Sequence, residues 1–488
     1  MLSFPLHLAY FCLFAVSLWL SGTLFDEIVR CRLLGELLIG LIFGNIAVGT
    51  LLPADKSIIA LAGELGVLGL IFEAGVGTNL AKVLKAGPRA ALVATLGTVV
   101  PLATGFGFMY GLSHLDHIQA LDRSAGGTSQ SAQSVTEATA SGAALASTSI
   151  AIAVTMMKQQ HVLDTPVGTL ITTAAMLDDV VSLILLGIVS SIGQSESTSG
   201  SGIQPMTVIQ PVLASLGIIC VGIFGCVVVA RIKAKKTFNV GLELDMGDPS
   251  YMSDSRHSLD ETEIEKSADA RVQRDDTEGC DERQKSRNHP GRFWTRVIHL
   301  YNRFEATIRL AGMVIAGLGY SILAEYLGSS RLLGAFVAGV FFSPFSHLQH
   351  EYEQQVTNRI QPALSALFFA SIGMAIPLTK ILEPVLFGWG LVYAVIASLA
   401  KLTTMIAVSS KDSSASASGL HSSRISYNVR WMVGTAMIAR GELGLLMAQQ
   451  AQQQGVMSPT AMVVTTWSVV LCTLIGIGAL GLVMKKGK

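Results

Sequence analysis

Apolar runs of membrane-spanning length recur along this chain, and they constrain its fold more than any single motif. A helix that crosses a bilayer needs roughly 20 mostly apolar residues. Such runs lie near 4–22, 33–52, 57–76, 89–113, 140–157, 167–193, 207–231, 304–327, 331–345, 361–378, 380–408, 429–452 and 460–484, about thirteen in all. The first run carries no basic segment before it and no cleavage-like stretch after it, so it reads as a spanning helix and not a leader.

Charge is scarce and unevenly placed. Only 14% of residues are charged, against about 25% in soluble domains. Residues 231–300 hold 27 of the 68 formal charges. With the N-terminus outside and sides alternating, short inside segments collect thirteen Lys and Arg, and outside loops four. That is a positive-inside bias and places the C-terminus in the cytoplasm; whether the membrane is plasma or organellar is left open. Residues 232–300 mix charge with Ser and Asp and have few aromatics, which predicts a disordered cytoplasmic loop. Net charge is zero, so nothing points to nucleic acid, and the partner implied is the lipid bilayer. The six cysteines show no paired spacing, which implies neither disulfides nor a resident metal or cofactor.

The chain also repeats itself. Arg32-Leu33-Leu34-Gly35 with Gly40 returns 299 residues later as Arg331-Leu332-Leu333-Gly334 with Gly339. An odd helix at 207–231 between two six-helix halves gives the copies opposite orientation, the arrangement of secondary transporters with a midplane substrate site. The fold expected is therefore an all-α polytopic membrane protein of about 13 transmembrane helices. It comprises two inverted six-helix repeats plus a linking helix, with discontinuous crossing helices in the core.

Ionisable residues within apolar spans point to function. Asp178 and Asp179 lie midway along the sixth run, about 100° apart on a helix, so both can line one cavity without facing each other. A desolvated carboxylate can hold a proton or a dehydrated cation, but poorly both, and that competition is the chemistry of exchange. Lys401 sits within the eleventh run and needs an anion; Asp178 is the evident partner. Arg440-Gly441-Glu442 interrupts the twelfth run, and Gly142–Ser149 is its small-residue counterpart in the fifth. Both read as broken helices whose ends and carbonyls face an ion, with Thr148 and Ser149 at one break and Arg440 and Glu442 neutralising helix ends. Glu36, Glu64, Glu73 and Glu325 also fall in or near apolar runs, and Glu73 is the secondary candidate among them. Glu36, close to the inner end of its helix, reads as a headgroup contact.

These residues resemble the cation/proton antiporter superfamily, in particular the branch of bacterial sodium/proton antiporters and potassium-efflux proteins. The similar stretches are Leu34–Gly40, Leu332–Gly339, Leu367–Met374, Ala174–Asp179 and Arg440–Leu443, in family order over nearly the whole chain outside 232–300. The resemblance implies a homodimer. Its dimerisation bundle would comprise 1–80 and 304–378, and its core ion-transport bundle 85–193 and 380–488, with 207–231 linking the halves. It implies Asp179 as the ion- and proton-binding carboxylate, and Asp178 as the position that, when aspartate, goes with electrogenic exchange and a lysine partner. Glu73 departs from the family pattern, as does the polar stretch Gly126–Ser141 before the fifth run.

The function expected is secondary active exchange of Na+ or K+ for protons by alternating access. The alternative is a cation/proton symporter or proton-regulated channel of the same fold. Enzyme readings fit less well. An intramembrane aspartyl protease needs facing aspartates on two helices, and a prenyl-transferring enzyme needs a second aspartate-rich motif.

Overall fold

The computed structural model describes residues 4–29, 31–45, 53–78, 87–115, 131–149, 153–154, 157, 165–199, 205–245, 292–408 and 422–486. Among them every regular element is helical. The longer helices are α1 (Phe4–Val29), α2 (Arg32–Asn45), α3 (Pro53–Val76), α4 (Gly87–Ser113), α5 (Ser131–Ala146), α6 (Pro166–Ser199) and α7 (Pro205–Asp245). After them come α8 (Arg292–Tyr326), α9 (Arg331–Phe342), α10 (Gln361–Ala375), α11 (Pro384–Leu402), α12 (Ser422–Ala436), α13 (Glu442–Gln453) and α14 (Pro459–Lys486). Eight of these are long and apolar enough to cross a membrane. Broad apolar faces lie bare, with Trp19 64%, Ile28 70% and Phe224 72% exposed. Hydrocarbon, not water, is the solvent such faces suit.

Two compact units partition the chain: Met1–Cys226 with Gly312–Lys488, and Val227–Ala311. Within the second, α7 runs on to Asp245 and α8 begins at Arg292. The disordered loop expected over 232–300 is thus helical at both described ends. Lys and Ala in Arg231-Ile232-Lys233-Ala234-Lys235-Lys236 are strong helix formers and let the span continue past its apolar part. Residues 246–291 lie outside the described residues.

Within the first unit, two sets of helices form. α1, α2, α3, α9 and α10 pack among themselves, through α2 on α10 and α3 on α9 above all; α4, α5, α6, α11, α12, α13 and α14 form the other set. The repeat is visible in the closest backbone approaches. A methyl on Gly35 would sit 2.4 Å from the Ser21 carbonyl oxygen, and one on Gly334 would sit 2.3 Å from that of Tyr320. Likewise Gly75 abuts the Phe336 carbonyl and Gly373 that of Leu37, each at 2.2 Å. Each contact is the other moved along the chain by 298 or 299 residues. Small residues permit such approach where lipid supplies no hydrophobic push between helices.

One helix differs from its expected place. The hydropathy pattern puts the fifth span at 140–157; α5 instead begins at Ser131 and ends at Ala146. Polar residues along it are buried: Thr136 is 1%, Glu137 6% and Ser141 0% exposed. Glu137 accepts from Ser458 N–H at 2.9 Å and from Ser458 Oγ at 2.5 Å, and Ser141 shares a hydrogen bond with Thr465 at 2.6 Å. Hydropathy misplaces a span whose polar groups are satisfied by neighbouring helices.

Candidate functional site

Two helices stop in the middle of the second set. α5 ends at Ala146 and Ser147–Ser149 run on without helical bonding; α12 ends at Ala436 and α13 begins at Glu442. The irregular stretches meet where Ser149 N–H donates to the Ala439 carbonyl at 2.9 Å. Gly441 makes the crossing possible, since a methyl there would lie 2.6 Å from Ser149 Oγ. The breaks fall where the sequence puts them, in Gly142–Ser149 and at Arg440-Gly441-Glu442.

A broken helix leaves unpaired carbonyls at its C-terminal end and unpaired N–H groups at its N-terminal end, with matching partial charges. Cations meet the first. Lys401 Nζ donates to the Ala146 carbonyl and to Thr148 Oγ1, both at 2.6 Å, and Arg440 donates to the Ser147 and Ala397 carbonyls at 3.3 Å. An anion meets the second: Glu442 stands in the first turn of α13, and Ser149 Oγ donates to its Oε2 at 3.4 Å. Thr148 and Ser149 therefore bond across the break and not back onto α5. Arg440 and Glu442 form no ion pair with each other among the described residues; each serves a different helix end.

Lys401 also forms an ion pair with Asp178 at 3.1 Å, both side chains fully buried. The other oxygen of Asp178 accepts from Thr98 Oγ1 on α4. All three ammonium protons and both carboxylate oxygens thus have partners. Asp179 differs. It is partly exposed, makes no hydrogen bond or ion pair among the described residues, and feels the charges of Glu442, Asp178 and Lys401.

The transmembrane sodium/hydrogen exchanger family matches residues 15–242 and 291–485. The chain belongs to that family. The high-affinity Na(+)/H(+) antiporter NhaS3 of Synechocystis sp. is 30% identical over 173 residues, 36% of this chain and 32% of that protein, so the match spans about a third of it. The Na(+)/H(+) antiporter of Enterococcus hirae is 24% identical over 442 residues, 91% of this chain and 88% of that one. The solved sodium proton antiporter MjNhaP1 of Methanocaldococcus jannaschii shares the fold, with TM-score 0.57 and 14% identity over 99% of this chain and 98% of its own.

In this exchanger-family chain one cavity reaches the crossing and a second lies apart from it. One, of about 350 Å³, lies where α1 ends and α2 begins, and Ser149 and Glu442 are on its wall with Asp26, Arg32, Glu36 and Glu73. The other, about 160 Å³, lies at the repeat-related turn between α8 and α9, lined by Glu64, Glu325, Arg331 and the glutamines at the end of α13. Arg331 pairs there with Glu64 and Glu325, each at 3.6 Å. Neither cavity is walled by Asp178 or Asp179. The structure thus brings Asp178, Lys401 and Thr148 together, joins Ser149 to Glu442, and places Glu73 on the cavity wall with Ser149 and Glu442 but not in the Asp178–Lys401–Thr148 cluster.

Sequence reasoning missed Thr98, Glu137 and Gln361. Thr98 is one hydroxyl in an apolar run, and threonine there ordinarily bonds back to its own helix; the Ala94 carbonyl lies 2.9 Å from Thr98 Oγ1 and competes with Asp178 for its single proton. Only the meeting of α4 with α6 reveals its second role. Glu36, expected at the headgroups, is 3% exposed and pairs with Arg32 at 3.6 Å.

Proposed function

We propose that the chain is a secondary active antiporter that exchanges Na+ or K+ for protons by alternating access, with proton and metal ion contending for the Asp178–Asp179 region at the crossing. The observation that carries this reading is the contrast between neighbours on α6. Asp178 is tied to Lys401 and Thr98, whereas Asp179 has no protein partner among the described residues. A carboxylate at membrane depth without a fixed cation needs a mobile one, and H+ and Na+ or K+ are the candidates. Asp179, Glu442 and Ser149 supply oxygens, and the helix ends supply partial charges already balanced by Lys401 and Arg440.

The two cavities support access from one side at a time. The larger reaches Ser149 and Glu442; the smaller reaches no residue of the crossing. The helix sets meet through α6 on α9 and α10 on α13, contacts that lie along the path by which one set would move against the other. In the orientation that the loop charges favour, N-terminus outside and C-terminus cytoplasmic, the larger cavity opens inward. A homodimer through α1–α3 and α8–α10 belongs to the same reading, supported by the bare apolar face of α1.

Reconstitution into vesicles with a pH-sensitive dye inside tests the proposal. Addition of Na+, K+ and Li+ in turn is expected to drive protons opposite to at least one of them. Movement of protons with the cation would indicate symport, and no cation-dependent movement would refute transport of this kind.

A further inference from the structure

Glu73, the secondary candidate of the sequence, makes no hydrogen bond or ion pair with Asp178, Lys401 or Thr148 among the described residues. It lines the α1–α2 cavity with Asp26, Glu36 and Glu442, so four carboxylates share that space with one guanidinium, Arg32. Arg32 already pairs with Glu36.

A second observation comes from α10. Gln361 also lines this cavity and is 5% exposed. Its Nε2 donates to the Gly66 carbonyl at 2.8 Å, but its Oε1 accepts no hydrogen bond. That oxygen lies over Gly69, where a methyl would come within 2.5 Å of it. Gly69 and Glu73 are four residues apart on α3 and therefore share one face. The bare spot at Gly69, the Gln361 carbonyl oxygen and the Glu73 carboxylate thus belong to one stripe. A buried acceptor with no donor is costly. The Thr357 hydroxyl on the same cavity wall stands beside Glu73, which leaves the Gln361 Oε1 as the acceptor with no donor, and an open acceptor next to a carboxylate suits a cation.

We propose that this stripe is a second cation station, in which Glu73 and the Gln361 Oε1 oxygen hold a partly hydrated monovalent cation apart from Asp179. Among the described residues no three carboxylate, His or Cys side chains converge as a chelating metal site, so the station fits a loosely held Na+ or K+ better than a divalent ion. The inference rests on the exchange reading for its purpose, as a waiting place on the way to Glu442 and Ser149.

The test is equilibrium binding of radioactive Na+, and separately of an Rb+ tracer for K+, to the purified full chain. The background is Asp179→Asn, which removes the site at the crossing. Saturable binding is expected to survive in that background, to weaken about tenfold, or roughly 1.4 kcal/mol, on adding Glu73→Gln, and to be largely restored by Glu73→Asp instead. Gln361→Met is expected to weaken it as well, with the elution profile of the folded protein unchanged. Loss of all binding in Asp179→Asn, or equal affinity with and without Glu73→Gln, overturns the station. Failure of exchange in vesicles with binding intact refutes the transport reading and leaves the station standing.

Discussion

The two sides of the crossing differ in how completely their polar groups are engaged. On one, Lys401 gives its protons to Ala146, Thr148 and Asp178, and Thr98 closes the second oxygen of Asp178. On the other, Asp179 stands without a fixed partner among the described residues, beside a Glu442 that accepts from Ser149 at a long 3.4 Å. A buried charge network in which every member is satisfied is rigid, and removing one member strands the rest. An incompletely satisfied carboxylate has capacity for something that comes and goes. Under the proposed exchange function, the first side is framework and the second is where ions come and go.

The sharpest way to break it is Asp179→Asn. If Asp179 is the exchanging carboxylate, cation-driven proton movement in vesicles falls by about 100-fold or more, as when a required proton carrier is lost. Transport at the wild-type rate would move the site elsewhere. Next in size is Lys401→Ala, which leaves Asp178 buried and unpaired. Unfolding in detergent is expected to show a loss of about 3–5 kcal/mol, with much of it regained when Asp178→Asn is added. A stable single variant would mean that the pair is not framework.

A smaller effect is expected of Thr98→Val, about 1–3 kcal/mol, because one oxygen of Asp178 loses its donor while Lys401 remains. The same measurement sharpens the comparison, since cation affinity should change less than stability does. The smallest is Arg331→Gln at the opposite face. Arg331 is 43% exposed and its partners Glu64 and Glu325 are 58% and 57% exposed. Water screens such pairs, so the change should lie within about 1 kcal/mol. A loss comparable to that of Lys401→Ala would show that the Arg331 pairs, too, hold the fold together.

Much of this architecture is legible in the order of residues alone. The helix runs, the copy of Arg32–Gly35 at Arg331–Gly334 and the intramembrane Asp178, Asp179, Lys401, Arg440 and Glu442 are local signals, because a bilayer penalises charge and exposed backbone wherever they occur. The pairing of Lys401 with Asp178 is also within reach, since a buried ammonium has few possible anions. The start of α5 is not. Hydropathy counts Thr136, Glu137 and Ser141 as surface, and nothing nearby in the chain says that Ser458 and Thr465 will meet them. Thr98 and Gln361 are hidden for the same reason.

By itself, the sequence determined that this chain lives in a membrane, that its halves are copies, and which charged residues lie at depth. Each follows from a transfer cost or a period read within tens of residues. Tertiary structure alone decided which aspartate is tied down and where an acceptor is left open. Those outcomes depend on partners 80 to 295 positions away. A hydrogen bond is directional and short, so only the packing of α4, α6 and α11 around the crossing, and of α3 on α10, settles who satisfies whom.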